Sequence, residues 1–259
     1  MSRLRVAIGK HLKTCPLVIT LGVRRQLADY TKSERELLRT ADIIFFPTDR
    51  FFDLFVTLGK ETFPSANCYR LKGNRLKQTS LLRLLDVPHP RTRVYYGHKQ
   101  KREILKDFAF PLVAKKPFGS SESGEVFLIH DQEKLDWYNQ HFNPAYIQEY
   151  LEAEQELRVL VLNYHTLVCC RRKAAIGVCK SDSLHSGVWR MDRVPPGVDT
   201  LAREIARDAG LSDVEVNMIY DGDRYWVLEL GFQYGEESWP QAGKDRFDRI
   251  MELIERGEL

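Results

Sequence analysis

No stretch of this chain approaches the roughly eighteen consecutive apolar residues of a membrane-spanning helix. The N-terminal MSRLRVAIG passes directly into strand-like sequence, without the apolar segment of a signal peptide. A membrane or exported protein is not expected. Basic residues never gather into a block of about five, and the 259 residues carry a formal charge of only +3. Neither a nucleic-acid stripe nor a polybasic membrane patch is therefore expected. Cysteine is scarce: Cys15, Cys68, Cys169, Cys170 and Cys179 make an odd count with no CxxC pair and no metal-finger spacing. A reducing, cytoplasmic setting is the expectation. Cys169 and Cys170 lie in strand-like sequence, where a small core residue is the ordinary use of cysteine and a catalytic thiol the rarer one. Internal repeats, low-complexity linkers and a Ser-His-Asp arrangement are missing too, so neither a solenoid nor a nucleophilic hydrolase is indicated.

What is present suits one large or two modest domains, since 43% hydrophobic residues suffice for a buried core. The first seventy or so residues read as a small α/β unit. Arg5–Ile8, Leu17–Thr20 and Asp42–Phe46 are short apolar runs of the kind found in buried strands, with the helical SERELLRT before the third. DRFFDLFVTLGK then reads as an amphipathic helix with Phe52, Phe55 and Val56 inward and Gly59 just past its end. From Asn74 the character changes. NRLKQTSLLRLLDVPHPRT predicts a helix with Leu81, Leu82, Leu84 and Leu85 on its apolar side, followed by the strand RVYY, the helix KREILKDF and, further on, the helix DQEKLDWYNQHF. The last third predicts antiparallel sheet: Leu157–Leu162 and Thr166–Cys170 flank a turn at Asn163-Tyr164-His165. A helix follows, capped by Asp199 or Thr200 and ended by Gly210, and then a second hairpin turns around Asp221-Gly222-Asp223.

Two features carry chemistry. In PLVAKKPFGSSESGEV, residues 111–126, an apolar strand delivers Lys115 into a loop of Gly and Ser, with Val113 and Lys115 on the same side. Such a loop leaves backbone N–H groups available to phosphate oxygens, and lysine adds a compact charge. By itself it fits a plain hairpin turn equally well. The second is parity in the last hairpin. An unbulged two-residue turn would put Asn217 and Glu229 on opposite faces, whereas an odd loop puts them together. The odd loop is predicted, because an amide oxygen and a carboxylate facing each other at a cleft suit a hard cation such as Mg²⁺. A solvated glutamate near a strand end is the ordinary alternative.

Taken in order, NRLKQTSLLRLLDVPHPRT, PLVAKKPFGSSESGEV, YIQEYLEAEQELRVLVLN, CRRKA, SLHSG and EVNMIYDGDRYWVLELGFQYG resemble the ATP-grasp superfamily, in particular the RimK-like carboxylate–amine ligases. The resemblance covers about Asn74 to Gly235. It implies an α/β (α+β) chain: an ATP-grasp fold of two α+β lobes, residues 74–147 and 148–259, behind a small Rossmann-like pre-ATP-grasp domain over residues 1–73. It implies ATP and Mg²⁺ as cofactors. Lys77 and Lys115 match the two phosphate-reaching lysines, and Gly119, Ser120, Ser123 and Gly124 the loop that closes over the phosphates. Gln148, Glu149 and Leu151 match the hinge whose backbone meets adenine, with Glu156 as a ribose contact. Arg158 and Arg172 match the basic positions facing the phosphates or an acyl phosphate, and Asn217 and Glu229 the metal site. For each side chain taken separately, a surface salt bridge is the ordinary alternative.

Three positions depart from the family pattern: Asn217 stands where Asp is usual, Gly231 where a second metal-binding Asn is usual, and Glu122 where a loop glycine is usual. The implied reaction is phosphorylation of a substrate carboxylate by ATP, then displacement of phosphate by an amine to form an amide. The departures leave a nucleotide-binding module without turnover, acting as a sensor or complex partner, as the alternative, and an ATP-grasp kinase as a third reading. The expected partners are a small-molecule or peptide carboxylate and an amine, not nucleic acid or membrane, with a homodimer as the commonest assembly for such an enzyme. His185, within SLHSG, is the candidate on the substrate side.

Overall fold

The structure, a computed structural model, describes residues 3–119, 126–173, 189–232 and 245–259. Three four-stranded sheets organise them. The first is parallel, in the order β2-β1-β3-β4, from β1 (Arg5–Ala7), β2 (Ile19–Thr20), β3 (Ile43–Phe45) and β4 (Glu61–Phe63). Helix α1 (Lys32–Thr40) enters through a reciprocal cap, in which Thr31 Oγ1 accepts from the Glu34 amide and Glu34 accepts from the Thr31 amide. Helix α2 (Thr48–Thr57) buries Phe51, Phe52 and Phe55. Sequence reasoning anticipated three of these strands but not β4, whose ETF is too short to show a period. The C-terminal helix α9 (Asp245–Glu255) also belongs to this core: Ile250, Leu253 and Ile254 pack with Ala7, Ile43, Phe45 and Phe63.

The second sheet is antiparallel, in the order β5-β8-β6-β7: β5 (Thr92–Tyr95), β6 (Leu112–Lys115), β7 (Val126–Ile129) and β8 (Ala145–Glu149). One face packs on α7 (Gln132–His141), which buries Leu135 and Tyr138 there. Within KREILKDF only Ile104–Asp107 forms a helix of its own, α6, and a separate short helix, α5 (Gly97–Lys101), ends at its first residue. Ahead of this sheet lie α3 (Ala66–Leu71) and α4 (Arg75–Leu84). In α4 the buried residues are Arg75, Gln78 and Leu82, one helical face at i, i+3 and i+7. Leu84, expected inside, is 82% exposed because it lies off that face.

The third sheet, in the order β10-β9-β11-β12, is built from β9 (Gln155–Leu162), β10 (His165–Lys173), β11 (Asp213–Tyr220) and β12 (Tyr225–Gly231). Its two faces differ in chemistry, as the period of two requires. Leu157, Val159, Val161, Val214, Val216, Met218, Val227 and Leu230 form an apolar core with α8 (Val198–Asp208). The opposite face carries Glu156, Arg158, Arg172, Glu215, Asn217 and Glu229, paired across the strands. Gly197, in the left-handed region at φ +89°, precedes α8 instead of Asp199 or Thr200, so the helix begins before either expected cap. Gly210 (φ +63°) follows its end, as expected. Among the described residues, no helix is long and apolar enough to cross a membrane.

Candidate active site

The charged face of the third sheet meets the second sheet across a cavity of about 420 Å³, a size usual for small-molecule sites. Lys115, Gln148, Glu149, Leu151, Glu156, Arg158, Asn217 and Glu229 all line it. Lys115 is buried at the end of β6, and its Nζ donates to the Leu228 carbonyl at 3.4 Å, next to Glu229. The apolar part of the wall comes from Val113 and Val126 on one side and from Ile219 and Leu228 on the other.

Asn217 and Glu229 stand directly opposite each other, on the same face, as the parity argument required. The device differs from the one predicted. Tyr220 pairs with Tyr225 across an even turn, and the register slips between Asn217 and Met218, because Leu228 is an extra residue in β12. This bulge, and not an odd loop, turns both Leu228 and Glu229 toward the cavity while Val227 and Leu230 stay in the apolar core. Glu229 ion-pairs with Arg75 at 3.4 Å, and both side chains are nearly inaccessible. Asn217 is only 5% exposed, and its Nδ2 has no hydrogen-bond partner among the described residues. A buried amide donor left so costs about 1–3 kcal/mol, and an anionic oxygen would satisfy it.

The basic wall is held in place. Arg172 donates from Nε (2.9 Å) and Nη2 (2.6 Å) to one oxygen of Glu156. That engagement assigns the Glu156 carboxylate to Arg172 first and makes it less suited to ribose. Arg158 lies 3.8 Å from Glu215. Both guanidiniums lie over the Trp189 ring, with their carbons 4.4 and 4.7 Å from its centroid. At the hinge, Gln148 donates to Thr92 Oγ1 at 2.9 Å, and the Glu149 amide donates to the Arg91 carbonyl at 2.9 Å.

The structure does not bring Lys77 to the cavity. Asn74 caps α4 by accepting from the Lys77 amide at 3.0 Å, which makes Arg75 the first helical residue. Two residues further on, about 200° around the helix, Lys77 faces solvent. The cation that α4 sends inward is Arg75, whose Nη1 also donates to the Lys116 carbonyl at 2.6 Å. Gly119 stands at the mouth of the Gly/Ser loop, at φ +122°, and its amide donates to the Gly73 carbonyl at 2.9 Å. Ser120, Ser123, Gly124, Glu122 and His185 lie outside the described residues. Arg75, Glu215 and Trp189 are the site residues that sequence reasoning missed.

The thiols are not part of this chemistry. Among the described cysteines, Cys15, Cys68, Cys169 and Cys170 are free. Burial pushes the Cys68 thiol up to about 11 and those of Cys169 and Cys170 up to about 12, far from a reactive thiolate at neutral pH.

Residues 72–254 match the model of the RimK-like ATP-grasp domain, and the chain belongs to that family of ATP-dependent ligases that form carbon–nitrogen bonds. A probable alpha-L-glutamate ligase of Alkalilimnicola ehrlichii is 24% identical over 204 residues, which cover 75% of this chain and 68% of that protein. Among solved structures, a RimK domain ATP-grasp protein from Sphaerobacter thermophilus superposes with a TM-score of 0.69 at 16% identity, covering 96% of this chain and 98% of the other. D-alanine–D-alanine ligase from Bacillus anthracis, complexed with ATP, gives 0.68 at 12% identity with all of both chains covered. These likenesses establish the ATP-grasp fold.

Proposed function

We propose that this chain is an ATP- and Mg²⁺-dependent carboxylate–amine ligase working through an acyl phosphate, with residues 1–73 as a pre-ATP-grasp unit and 74–259 as the ATP-grasp unit. The observation that carries the reading is the shared cavity: one sheet contributes Lys115 and the other Arg158, Asn217 and Glu229. Among its more buried groups, Arg75, Lys115, Arg158 and Arg172 outnumber the carboxylates of Glu156, Glu215 and Glu229, while the other carboxylates of the lining, Glu149, Glu152, Glu154 and Asp221, are more open to solvent. A buried excess of cations suits a polyanion.

The slot between Val113 and Val126 on one wall and Ile219 and Leu228 on the other takes the adenine. Its polar edge faces the 148–151 backbone. Since the Glu149 amide is engaged by Arg91, the donor there is the Leu151 amide. Lys115 neutralises one phosphate, and Arg158 and Arg172, stacked on Trp189, present fixed donors where negative charge accumulates as the substrate carboxylate attacks the γ-phosphorus. ADP leaves, an amine attacks the acyl phosphate, and phosphate departs as the amide forms. The residues fit a hard cation: the carboxylate of Glu229 and the amide oxygen of Asn217 would hold it, and the Nδ2 of Asn217 would be free to donate to a phosphate oxygen. When bound, Mg²⁺ supplies charge neutralisation on the phosphates.

The substrates are proposed to be an amino-acid or peptide carboxylate and an amine, with glutamate the first to try as the amine, in a cytoplasmic setting. The test is phosphate release from ATP and Mg²⁺ with pooled carboxylates and amines. Release that requires one of each supports the ligase. Saturable ATP binding without release across the pool overturns it in favour of the non-catalytic module that Asn217 and Gly231 suggest, and a phosphorylated product without an amide points to a kinase.

A simpler measurement checks the cavity itself. Trp189 lines the cavity between two guanidiniums, so titration with ATP is expected to change tryptophan fluorescence saturably, and Trp189→Phe to remove the change. A titration that leaves the emission flat would place the nucleotide elsewhere.

A further inference from the structure

Gly231 removes an oxygen from the cation site proposed above, and the residue across the ladder from it is a carboxylate. Glu215 and Gly231 are register partners, two residues along from the Asn217–Glu229 pair on the same face. Glu215 is buried, and its side chain leans onto the open side of the glycine. A Cβ on residue 231 would lie 3.2 Å from Glu215 Cβ and 3.5 Å from both its Cδ and its Oε1. An asparagine at 231 and a glutamate at 215 therefore compete for one space, and this chain fills it from the 215 side. Diagonal neighbours on adjacent strands are separated by about 7–8 Å at the backbone. Two glutamates can close that span around one cation, whose ligands stand a little over 2 Å away.

We propose that Glu215 supplies, from the opposite strand, the oxygen ligand that Gly231 cannot, so that the cation is held by Glu215, Asn217 and Glu229. This rests on the ligase reading of the cleft. Asn217 supports this beyond the two carboxylates: it shares their face, directly across from Glu229, it lines the cavity, and its buried Nδ2, without a partner among the described residues, calls for an acceptor such as a phosphate oxygen beside the cation. Glu215 also faces Arg158 at 3.8 Å, and the competing explanation is that it serves only to hold that arginine.

Mn²⁺ binding followed by electron paramagnetic resonance, with a non-hydrolysable ATP analogue present, separates these. Glu215→Gln is expected to weaken Mn²⁺ about 10- to 100-fold, while the affinity for the analogue in excess chelator stays within about twofold. The exchange pair E215G/G231N is expected to restore Mn²⁺ binding to within several-fold of the parent, since it returns an oxygen to the same space from the other strand. Glu215→Gln keeps an oxygen that can still accept from Arg158 while removing the anionic ligand, so undiminished Mn²⁺ affinity in that variant would overturn the proposal, and this comparison stands even where the exchange pair does not fold. Failure of a folded exchange pair to recover Mn²⁺ would also overturn it. Glu229→Gln is the control for the underlying reading. If it loses Mn²⁺ while Glu215→Gln does not, the Glu215 assignment alone falls; if neither loses Mn²⁺, the cation site falls with it.

Discussion

Lys115→Ala is expected to lower nucleotide affinity by about 10- to 100-fold and to bring turnover below detection, while the protein remains folded. A charge-assisted contact to a buried anion is worth about 1.5–3 kcal/mol, each 1.4 kcal/mol is a factor of ten in affinity, and Lys115 is the only lysine among the described residues that line the cavity. Lys115 as a whole is 5% exposed at the end of β6, so its charge sits largely out of water before any ligand arrives, and its attraction for a phosphate is screened little. Replacing it with alanine removes a buried charge and creates none, and the melting temperature should move by only a few degrees. Calorimetric titration with ATP, together with a thermal melt of the same sample, checks both parts. Parental affinity in the variant would remove the cavity from consideration as a nucleotide site.

Arg75→Met is expected to act on stability instead. Arg75 and Glu229 are 6% and 5% exposed and face each other at 3.4 Å, across the junction between α4 and β12, where Gln78 also bridges by donating to the Leu230 carbonyl and accepting from the Leu230 amide. Taking one partner from a buried pair costs about 3–5 kcal/mol, because the remaining charge stays out of water. For a chain of this size that is a fall of roughly 6–20 °C in melting temperature. R75M/E229L, which removes both charges, should recover most of the loss. Equal melting temperatures for the parent and Arg75→Met would show that the pair is not a buried one in solution. Metal and nucleotide affinity should fall in the double variant however stable it is, since Glu229 is gone.

The part of the fold most legible in the sequence was the part with strong periodicity and clear punctuation. Asn163 and Tyr164, both at positive φ, make the tight turn of the first hairpin; Gly59 and Gly210 end α2 and α8 where expected. What was lost followed from physical causes of two kinds. Three-residue strands such as β4 carry no period to read. Long polar side chains on buried faces are located by helical phase and not by chemical type: the resemblance points to Lys77 as a phosphate-reaching lysine, yet counting back from Leu82 in steps of three and four reaches Gln78 and Arg75 and never Lys77. The same counting along β11 from Asn217 reaches Glu215, which shares its face. Trp189 had no such signal, since its place over Arg158 and Arg172 is a tertiary contact.

The surplus residue in β12 bears on how the chain length here can vary. Deleting Leu228 would leave Val227, Glu229 and Leu230 in unbroken alternation, with the carboxylate still across from Asn217. The sheet would lose nothing it needs. Gone would be the carbonyl that receives the Lys115 ammonium and the aliphatic group in the slot. Shortening the strand by this one residue should thus yield a protein that folds normally and holds its nucleotide poorly, a separation of architecture from recognition that point substitutions in so crowded a cleft rarely achieve.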